Sequence, residues 1–247
     1  MKTVTMHQPN YLPWLGLFSR IAHSDCFILV GDVQYTTNSV INRNKIRTKT
    51  GWIYLTIPVG RKVNDLKIYE VTLPKDRKWM ENHWKAIKQN YIKADFFDDY
   101  KDFFEKLYQE DFEYLWQINM EIISYLLRCF EIDVEVITTS EMSLDHELQN
   151  TDLLITILKN VGADVYLSGP SGRNYLDYEK FSQNNIDLRF FKFQHPVYKQ
   201  TCPGFEPAMS AIDLLFNVGP QAGEIIKASA KIEVPKLSVP QIRTRTL

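Results

Sequence analysis

Hydrophobic positions at the start of the chain follow two spacings that predict a strand, a helix and a second strand. Residues 3–6, TVTM, have the composition of a short β-strand. The next segment, WLGLFSRIAHS, places its large apolar side chains mostly three and four residues apart, as one face of a helix does. The run CFILVGD is apolar until its final Gly-Asp, which is typical of a strand buried on both faces of a parallel sheet. This order predicts a βαβ unit.

The pattern changes after residue 40. The basic stretch RNKIRTKTGWIYLTIPV predicts two strands joined at a Thr-Gly turn, and LKIYEVTL predicts a further strand. From Asp76 to about Phe130, aromatic residues recur at irregular spacings of three and four, which indicates helices. We interpret this segment as a helical insertion.

Strands and helices alternate again in the last part of the chain. VEVITTS and DVYLSG are predicted strands on either side of the helix TDLLITILKNVG, LRFFKF is a further strand and SAIDLLFNVG a short helix. We therefore predict an α/β fold, a mostly parallel sheet with flanking helices, of Rossmann-like or nucleotidyltransferase-like type. Its predicted parts, within one structural domain, are an N-terminal βαβ half with the basic segment (1–74), the helical insertion (75–131), a C-terminal α/β half (132–232) and an extended tail (233–247).

Composition excludes several classes of function. The 247 residues carry 29 basic and 30 acidic side chains, a net charge of -1, so no overall field attracts nucleic acid. The three cysteines are scattered, odd in number and without metal-ligand spacing, which suits a reducing cytoplasm and predicts no metal site. The N-terminus has no long apolar run, so we expect no signal peptide, no membrane span and a cytoplasmic protein.

Three polar segments follow predicted strands. They are HQPNYLPW, GDVQY and SGPSGRNYLD. In an open α/β sheet, ligands bind outside the carboxyl ends of the strands. We therefore expect these segments to meet around a ligand site.

The first segment contains the strongest candidate for proton transfer. His7 could act as a general base or donate a hydrogen bond to a phosphate. Gln8 and Asn10 would add amide donors, and Tyr11 and Trp14 would form a wall for a ring. The alternative is a structural histidine buried in a turn that the two prolines merely stiffen.

Basic and acidic candidates follow the second strand. Asp32 could bind a ribose hydroxyl or position a base, or it could simply cap a turn, and Gln34 belongs to the same segment. Arg43 and Lys45 alternate along a predicted strand with Asn44 between them, and they could hold phosphates. A charged edge strand that resists aggregation explains the same residues.

The third segment offers an anion site without the P-loop spacing. Its glycines would let backbone N–H groups approach an anion closely, and its hydroxyl, guanidinium and phenol groups would add contacts. An ordinary strand-to-helix turn uses the same residue types. Neither a P-loop nor a Gly-x-Gly-x-x-Gly motif is present, so nicotinamide and flavin have no support. The candidate binding residues here are Ser168, Gly169, Ser171, Arg173 and Tyr175.

A fourth segment, FQHPVYKQ, repeats the His-Pro-Tyr composition of the first. We expect it to line the same cleft. His195 is then a second candidate catalytic residue beside His7 and Asp32, and Tyr198 a candidate binding residue.

These segments together resemble the WbqC-like family of bacterial proteins. The matching pieces run in order from near residue 3 to about residue 220: HQPNYLPWLG, DVQY, NRNKI, GWIYLTIPV, HWKAIKQNY, GADVYLSGPSGRNYLD, HPVYKQ and LLFNVGP. The resemblance implies a role in the synthesis of O-antigen and other surface polysaccharides. It suggests that an acyl or aminoacyl group, for example glycyl, is transferred or ligated to the amine of a nucleotide-linked amino sugar, from a donor that could be attached to a carrier.

Two other functions stay open at this point. One is a non-catalytic protein that binds the same nucleotide sugar or carrier. The other is an ATP-dependent adenylate-forming or nucleotidyl-transfer enzyme, by analogy with the nucleotidyltransferase superfamily. The chain lacks the second histidine that those enzymes place shortly after the first. ATP is therefore a cofactor only under that alternative. Whether the chain forms a homo-oligomer is left open by the sequence.

Overall fold

The protein is described here from a computed structural model that covers residues 1–60, 63–142, 144 and 150–235. The strands are β1 (Thr3–His7), β2 (Cys26–Leu29), β3 (Arg43–Thr48), β4 (Gly51–Thr56), β5 (Glu135–Thr138), β6 (Val165–Ser168), β7 (Asp187–Phe193) and β8 (Ala230–Glu233). The α-helices are α1 (Leu15–Ile21), α2 (Lys78–Tyr91), α3 (Phe97–Leu107), α4 (Leu115–Cys129), α5 (Asn150–Asn160), α6 (Tyr178–Gln183), α7 (Ala211–Val218) and α8 (Ala222–Ala228).

Six strands form one sheet in the order β5-β2-β1-β6-β7-β8. All neighbouring pairs are parallel except β7 and β8. Numbered along this sheet alone, the order is 3-2-1-4-5-6, the arrangement of the doubly wound nucleotide-binding fold. The predicted α/β class with a mostly parallel sheet is confirmed.

Helices cover both faces of the sheet, which is why its strands are apolar on both sides. On β2, Cys26 and Ile28 belong to a core that includes side chains of α5 and α6, whereas Phe27 and Leu29 face a larger core with α1, α4, α7 and α8. A strand that buries alternate residues in two cores reads as one continuous apolar run. That is the CFIL pattern in the sequence.

The basic segment forms a separate antiparallel hairpin of β3 and β4. The predicted Thr-Gly turn lies at its tip, where Gly51 has a φ of 134° that favours glycine. The prediction of a strand at LKIYEVTL is wrong. The backbone of this segment forms a single 3₁₀ turn at Ile68–Glu70. The segment crosses the loop after β2 and forms isolated hydrogen bonds with it instead of a regular ladder, because the Ile68 N–H donates to the Val33 carbonyl at 3.0 Å.

Helices α2, α3 and α4 occupy the segment predicted to be helical. Their buried side chains belong to the same core as α1 and α7, so this segment packs onto the sheet region. The predicted division of the chain into parts stays a prediction.

The C-terminal segment departs from the expected end of the sheet. LRFFKF forms β7, but residues 230–233 add β8 beside it, antiparallel. The predicted tail, 233–247, lies from residue 236 onward outside the described residues. None of the described helices is long and apolar enough to cross a membrane.

Candidate functional site

A crevice opens where β1 and β6 separate. Their pairing ends at Val4 opposite Tyr166, whereas the pairing of β1 with β2 continues to His7 opposite Leu29. The chain leaves β1 and β6 in opposite directions along the sheet, which makes this the topological switch point where such folds bind ligands. The resulting cleft, here the switch-point cleft, has a volume of about 440 Å³. It is lined by Met6, His7, Gln8, Trp14, Arg20, Val30, Val33, Leu154, Tyr166, Ser168, Gly169, Pro170, Ser171, Gly172 and Tyr175.

His7 ends β1 and presents one free nitrogen to this cleft. Its Nδ1 lies 3.0 Å from the Gln8 carbonyl oxygen, which can only accept, so Nδ1 carries the proton. Nε2 is then a lone-pair acceptor without a protein partner among the described residues. Burial, together with the nearby Arg20 charge, lowers the pKa of His7 to about 3, so the ring is neutral at pH 7.

Trp14 orients this imidazole. The two rings meet edge to face, with centroids 5.1 Å apart. Gly16 permits the arrangement, because a Cβ at that position would stand 2.7 Å from the indole Nε1.

Arg20 is the cation of the switch-point cleft, and the sequence prediction missed it. It lies on α1 with 7% of its surface exposed. One N–H group donates to the Met6 carbonyl at 3.1 Å, while Nε has no partner and no acidic side chain pairs with the guanidinium within the described residues. Leaving a buried charge unpaired is costly, so this environment favours an anion. A usable signal exists in the sequence: Arg20 is the only Arg, Lys, Asp or Glu between Thr3 and Ser24.

The glycines of the third segment let the loop after β6 approach Arg20. A Cβ on Gly169 would lie 2.4 Å from the Arg20 Nη1, and a Cβ on Gly172 would lie 2.2 Å from the Ser168 hydroxyl. Ser171 and Tyr175 are exposed at the rim. Ser168 is buried at the floor, where its hydroxyl donates to the Gly169 carbonyl at 3.1 Å.

The middle of the first segment lies in the core and does not reach the cleft. Asn10 and Tyr11 are fully buried, so neither can meet a ligand there as expected. The Tyr11 hydroxyl hydrogen-bonds His83 Nδ1 at 2.8 Å and also the Tyr108 hydroxyl. This segment therefore ties the cleft loop to the helices α2 and α3.

Both ring nitrogens of His195 are hydrogen-bonded to backbone groups nearby. Its Nδ1 donates to the Pro196 carbonyl at 2.8 Å, and its Nε2 accepts the Ala208 N–H at 3.0 Å. With both nitrogens engaged, the ring holds a loop and has no lone pair for catalysis. The expected catalytic role of His195 is not consistent with this geometry.

Tyr198 belongs to a buried hydrogen-bond network instead of the cleft. Its hydroxyl donates to the Asp213 carboxylate at 2.8 Å, which also accepts from Tyr91 at 2.9 Å and from Gln200 at 2.8 Å. Burial raises the pKa of Asp213, while these donors oppose the shift. The network fastens the fourth segment to α7.

Three further candidates lie outside the switch-point cleft. Arg173 pairs with Glu233 at 2.7 Å and covers the Phe190 ring. Its charge is therefore balanced by a carboxylate of β8. Asp32 lies 3.9 Å from the Lys67 ammonium. Gln34 is exposed and donates to the Asn64 carbonyl at 2.7 Å.

The residues of the basic strand line a second cleft. Arg43, Asn44 and Lys45 border a space of about 340 Å³ that also touches Trp14. Asn44 is buried and donates to the Leu12 carbonyl, which makes it structural. Arg43 and Lys45 therefore do not share a cleft with His7, although Trp14 borders both clefts.

A third cleft, about 450 Å³, lies against the helical segment. None of the described residues in its lining is a histidine, and its Arg77 is paired with Asp111 at 2.6 Å. Its acidic side chains are Glu110, Asp111 and Glu113. An anion is better accommodated in the switch-point cleft.

Comparison with known proteins gives one family and one curated relative. The WbqC-like protein family matches residues 8–225. The chain is 35% identical over 231 residues to the uncharacterized protein Rv1507c of Mycobacterium tuberculosis, covering 92% of this chain and 98% of that one. No solved structure matches.

Proposed function

This chain belongs to the WbqC-like protein family, and from that premise we propose that it is an enzyme of bacterial surface-polysaccharide synthesis, such as that of O-antigen. It transfers an acyl or aminoacyl group, for example glycyl, to the amine of a nucleotide-linked amino sugar. The observation that supports this most is the buried Arg20 beside Nε2 of His7, both without a side-chain partner in the part of the chain that the structure describes.

The phosphates of the nucleotide bind at Arg20. Guanidinium groups hold phosphate oxygens through charge-assisted hydrogen bonds, which are stronger when water is excluded. Among the described residues, no Asp or Glu lines the cleft to oppose a phosphate, and Gly169 brings backbone close to the guanidinium. Ser171 and Tyr175 at the rim offer hydroxyl groups to the rest of the ligand.

His7 moves the proton. The sugar nitrogen attacks the carbonyl carbon of an ester or thioester donor, a C–N bond forms, and the bond from that carbon to the leaving oxygen or sulfur breaks. Nε2 of His7 takes one proton from the nitrogen and returns it to the leaving group, so the products are an amide and a free alcohol or thiol. The neutral tautomer carries the lone pair that accepts this proton. A phosphate bound at Arg20 offsets the charge that helps to lower the pKa of His7, so the ring is a stronger base with substrate bound than in the free protein.

ATP-dependent activation is a second candidate, supported by the nucleotide-binding strand order. It predicts that ATP is consumed as the amide forms. In the first segment, however, Asn10 and Tyr11 are buried, so no second polar side chain from these positions stands beside His7 as phosphate ligand. Amide formation from an ester or thioester without ATP contradicts this alternative.

The test starts with binding. Thermal unfolding is measured with UDP-linked and dTDP-linked amino sugars and with ATP, and the sugars are expected to raise the melting temperature. The best ligand is then incubated with thioester and ester donors, and the amide is detected by mass spectrometry. Stabilisation by none of the sugars contradicts the proposal.

His7→Gln distinguishes an enzyme from a binding protein. The glutamine keeps a polar group of similar size but supplies no basic nitrogen. We expect affinity within about threefold of the wild type and turnover reduced about 100-fold or more. Unchanged turnover in His7→Gln contradicts proton transfer at His7. If the wild type binds the sugar but forms no product, the chain is better explained as a non-catalytic binding protein.

A further inference from the structure

The second cleft shares Trp14 with the switch-point cleft but does not include His7. It runs along the exposed face of β3 and is closed by residues before that strand and by the loop before α7. Its lining is Trp14, Asn38, Ser39, Val40, Arg43, Asn44, Lys45, Tyr54 and Ala208. Trp14 also lines the switch-point cleft, so the two spaces have one residue in common.

Two cations face this second cleft without an acidic partner among the described residues. The Arg43 guanidinium has one long hydrogen bond, 3.5 Å to the Asn38 side-chain oxygen, and lies 4.6 Å from the Tyr54 ring centre. The Lys45 ammonium lies 3.9 Å above the Trp52 ring. No Asp or Glu of the described ranges lines the cleft.

Arg47 shows what a structural arginine looks like on the same strand. It is 4% exposed and donates to three carbonyl groups, of Thr48 at 2.6 Å, Gly51 at 2.7 Å and Pro203 at 2.8 Å. Arg43 and Lys45 have no comparable set. Their charges are held by aromatic faces, which leaves their N–H groups available.

The aromatic rings beside these cations are open to solvent. Trp52 and Tyr54 are 42% and 44% exposed and meet edge to face at 5.2 Å. Exposed aromatic rings next to unpaired cations are an arrangement that binds anions carrying a ring, because the ring stacks while the anion meets the charge.

We propose that the second cleft binds a second phosphate-bearing substrate, with its phosphates at Arg43 and Lys45 and its ring against Tyr54. This rests on the proposed function for its role as the donor in the transfer, but the anion site itself is independent of it. The donor would then approach His7 along Trp14, with the amino sugar on the other side of the indole. The substrate class is an organic phosphate, such as the nucleotide end of an acyl carrier.

Calorimetric titration with adenosine diphosphate tests this site. We expect the wild type to bind two molecules per chain. R43Q/K45Q should weaken one of the two sites by about tenfold or more while the other is unchanged, and R20Q should do the reverse. Lys49→Gln removes one positive charge from the tip of the hairpin, outside the cleft, and should leave both sites unchanged.

The outcomes separate the claims. Two unchanged sites in R43Q/K45Q, in a variant whose circular dichroism matches the wild type, overturn the second site. A charge-conserving R43K should retain more affinity than R43Q, and equal loss in both contradicts a role for the charge. If R20Q leaves the affinity of the switch-point cleft unchanged while R43Q/K45Q weakens the second cleft, the proposed function fails and the second site stands.

Inorganic pyrophosphate separates the phosphate from the ring. It is a diphosphate without a base or ribose. We expect it to occupy the second site more weakly than adenosine diphosphate, by about threefold or more, because it lacks the contact with Tyr54. Equal affinity contradicts the ring contact, and hence the proposed class of substrate.

Discussion

At the residue scale, the chemistry of the switch-point cleft depends on two side chains that act on each other. Arg20 is a buried cation without a carboxylate among the described residues, and His7 is a neutral imidazole whose proton position is set by the Gln8 carbonyl. The sequence predicted His7 and Gln8, because a polar pair at the end of a first strand points to a sheet edge. The prediction missed Arg20: the sequence shows it as the one charge on an apolar helix, but not which side of the helix that charge faces.

Replacing Arg20 should change the titration of His7. Arg20→Gln removes the charge that opposes protonation of the ring, so the pKa of His7 should rise above about 3. Burial remains the larger cause, so the pKa should stay below the ordinary value of about 6.5. The measurement is the His7 ring-proton shift by NMR from pH 8 to pH 4.5. It should be flat in the wild type and begin to move in the variant.

Arg173→Gln is the control for that titration. It removes an arginine near the same loop whose charge is already paired with Glu233. An effect of equal size in both variants would show that Arg20 does not act directly on His7.

Protonation of His83 should cost stability in acid. Burial lowers the pKa of His83 to about 4, below the unfolded value near 6.5, so the unfolded chain binds the proton first. The free energy of unfolding is therefore fully retained above about pH 6.5 and falls as the pH drops towards 4. His83→Gln keeps a partner for Tyr11 but cannot titrate.

Urea unfolding at pH 7.5 and pH 5.0 measures this effect. Between the two values the wild type should lose about 2 kcal/mol more than His83→Gln, by the linkage between pKa and stability. Equal losses would mean that His83 is protonated as easily in the folded as in the unfolded chain.

At the element scale, the loop between β1 and α1 is rigid for reasons that the sequence only partly shows. Its prolines donate no hydrogen bonds, and their carbonyls accept instead, Pro9 from Asn119 at 3.0 Å and Pro13 from the Ala211 N–H at 2.8 Å. Leu12 adopts a φ of 43°, an uncommon backbone conformation for leucine. The partners that hold it lie far along the chain, so local pattern predicted a stiff turn but not that Asn10 and Tyr11 would be buried.

Removing the anchor of this loop should loosen it. Asn44→Ala takes away the amide that donates to the Leu12 carbonyl and leaves that buried oxygen unsatisfied. We expect the free energy of unfolding to fall by about 1–3 kcal/mol. Denaturant titration measures it. The comparison is Asn90→Ala, which removes a side-chain hydrogen bond to the Ala86 carbonyl within α2. An equally small loss of unfolding free energy in both variants would contradict a special role for Asn44.

At the scale of the whole molecule, strand order explains where the site lies. The alternation of apolar strands and helices predicted the parallel sheet, and the ends of two strands predicted the cleft of His7 and Ser168. Sequence could not show which strands are neighbours. Adjacency places β6 against β1, separates β3 from the sheet and pairs Arg173 with Glu233 on β8. These long-range pairings decide which candidate residues share a cleft.

The central claim is that the switch-point cleft binds the phosphates of a nucleotide sugar through Arg20. The decisive measurement is the dissociation constant of a dTDP-linked or UDP-linked amino sugar by calorimetry. It is made in the R43Q/K45Q background, where the weakened second cleft contributes less heat. Arg20→Gln should weaken binding by about tenfold or more, and Arg173→Gln should change it by less than about twofold. Binding to folded Arg20→Gln with unchanged affinity would contradict the account.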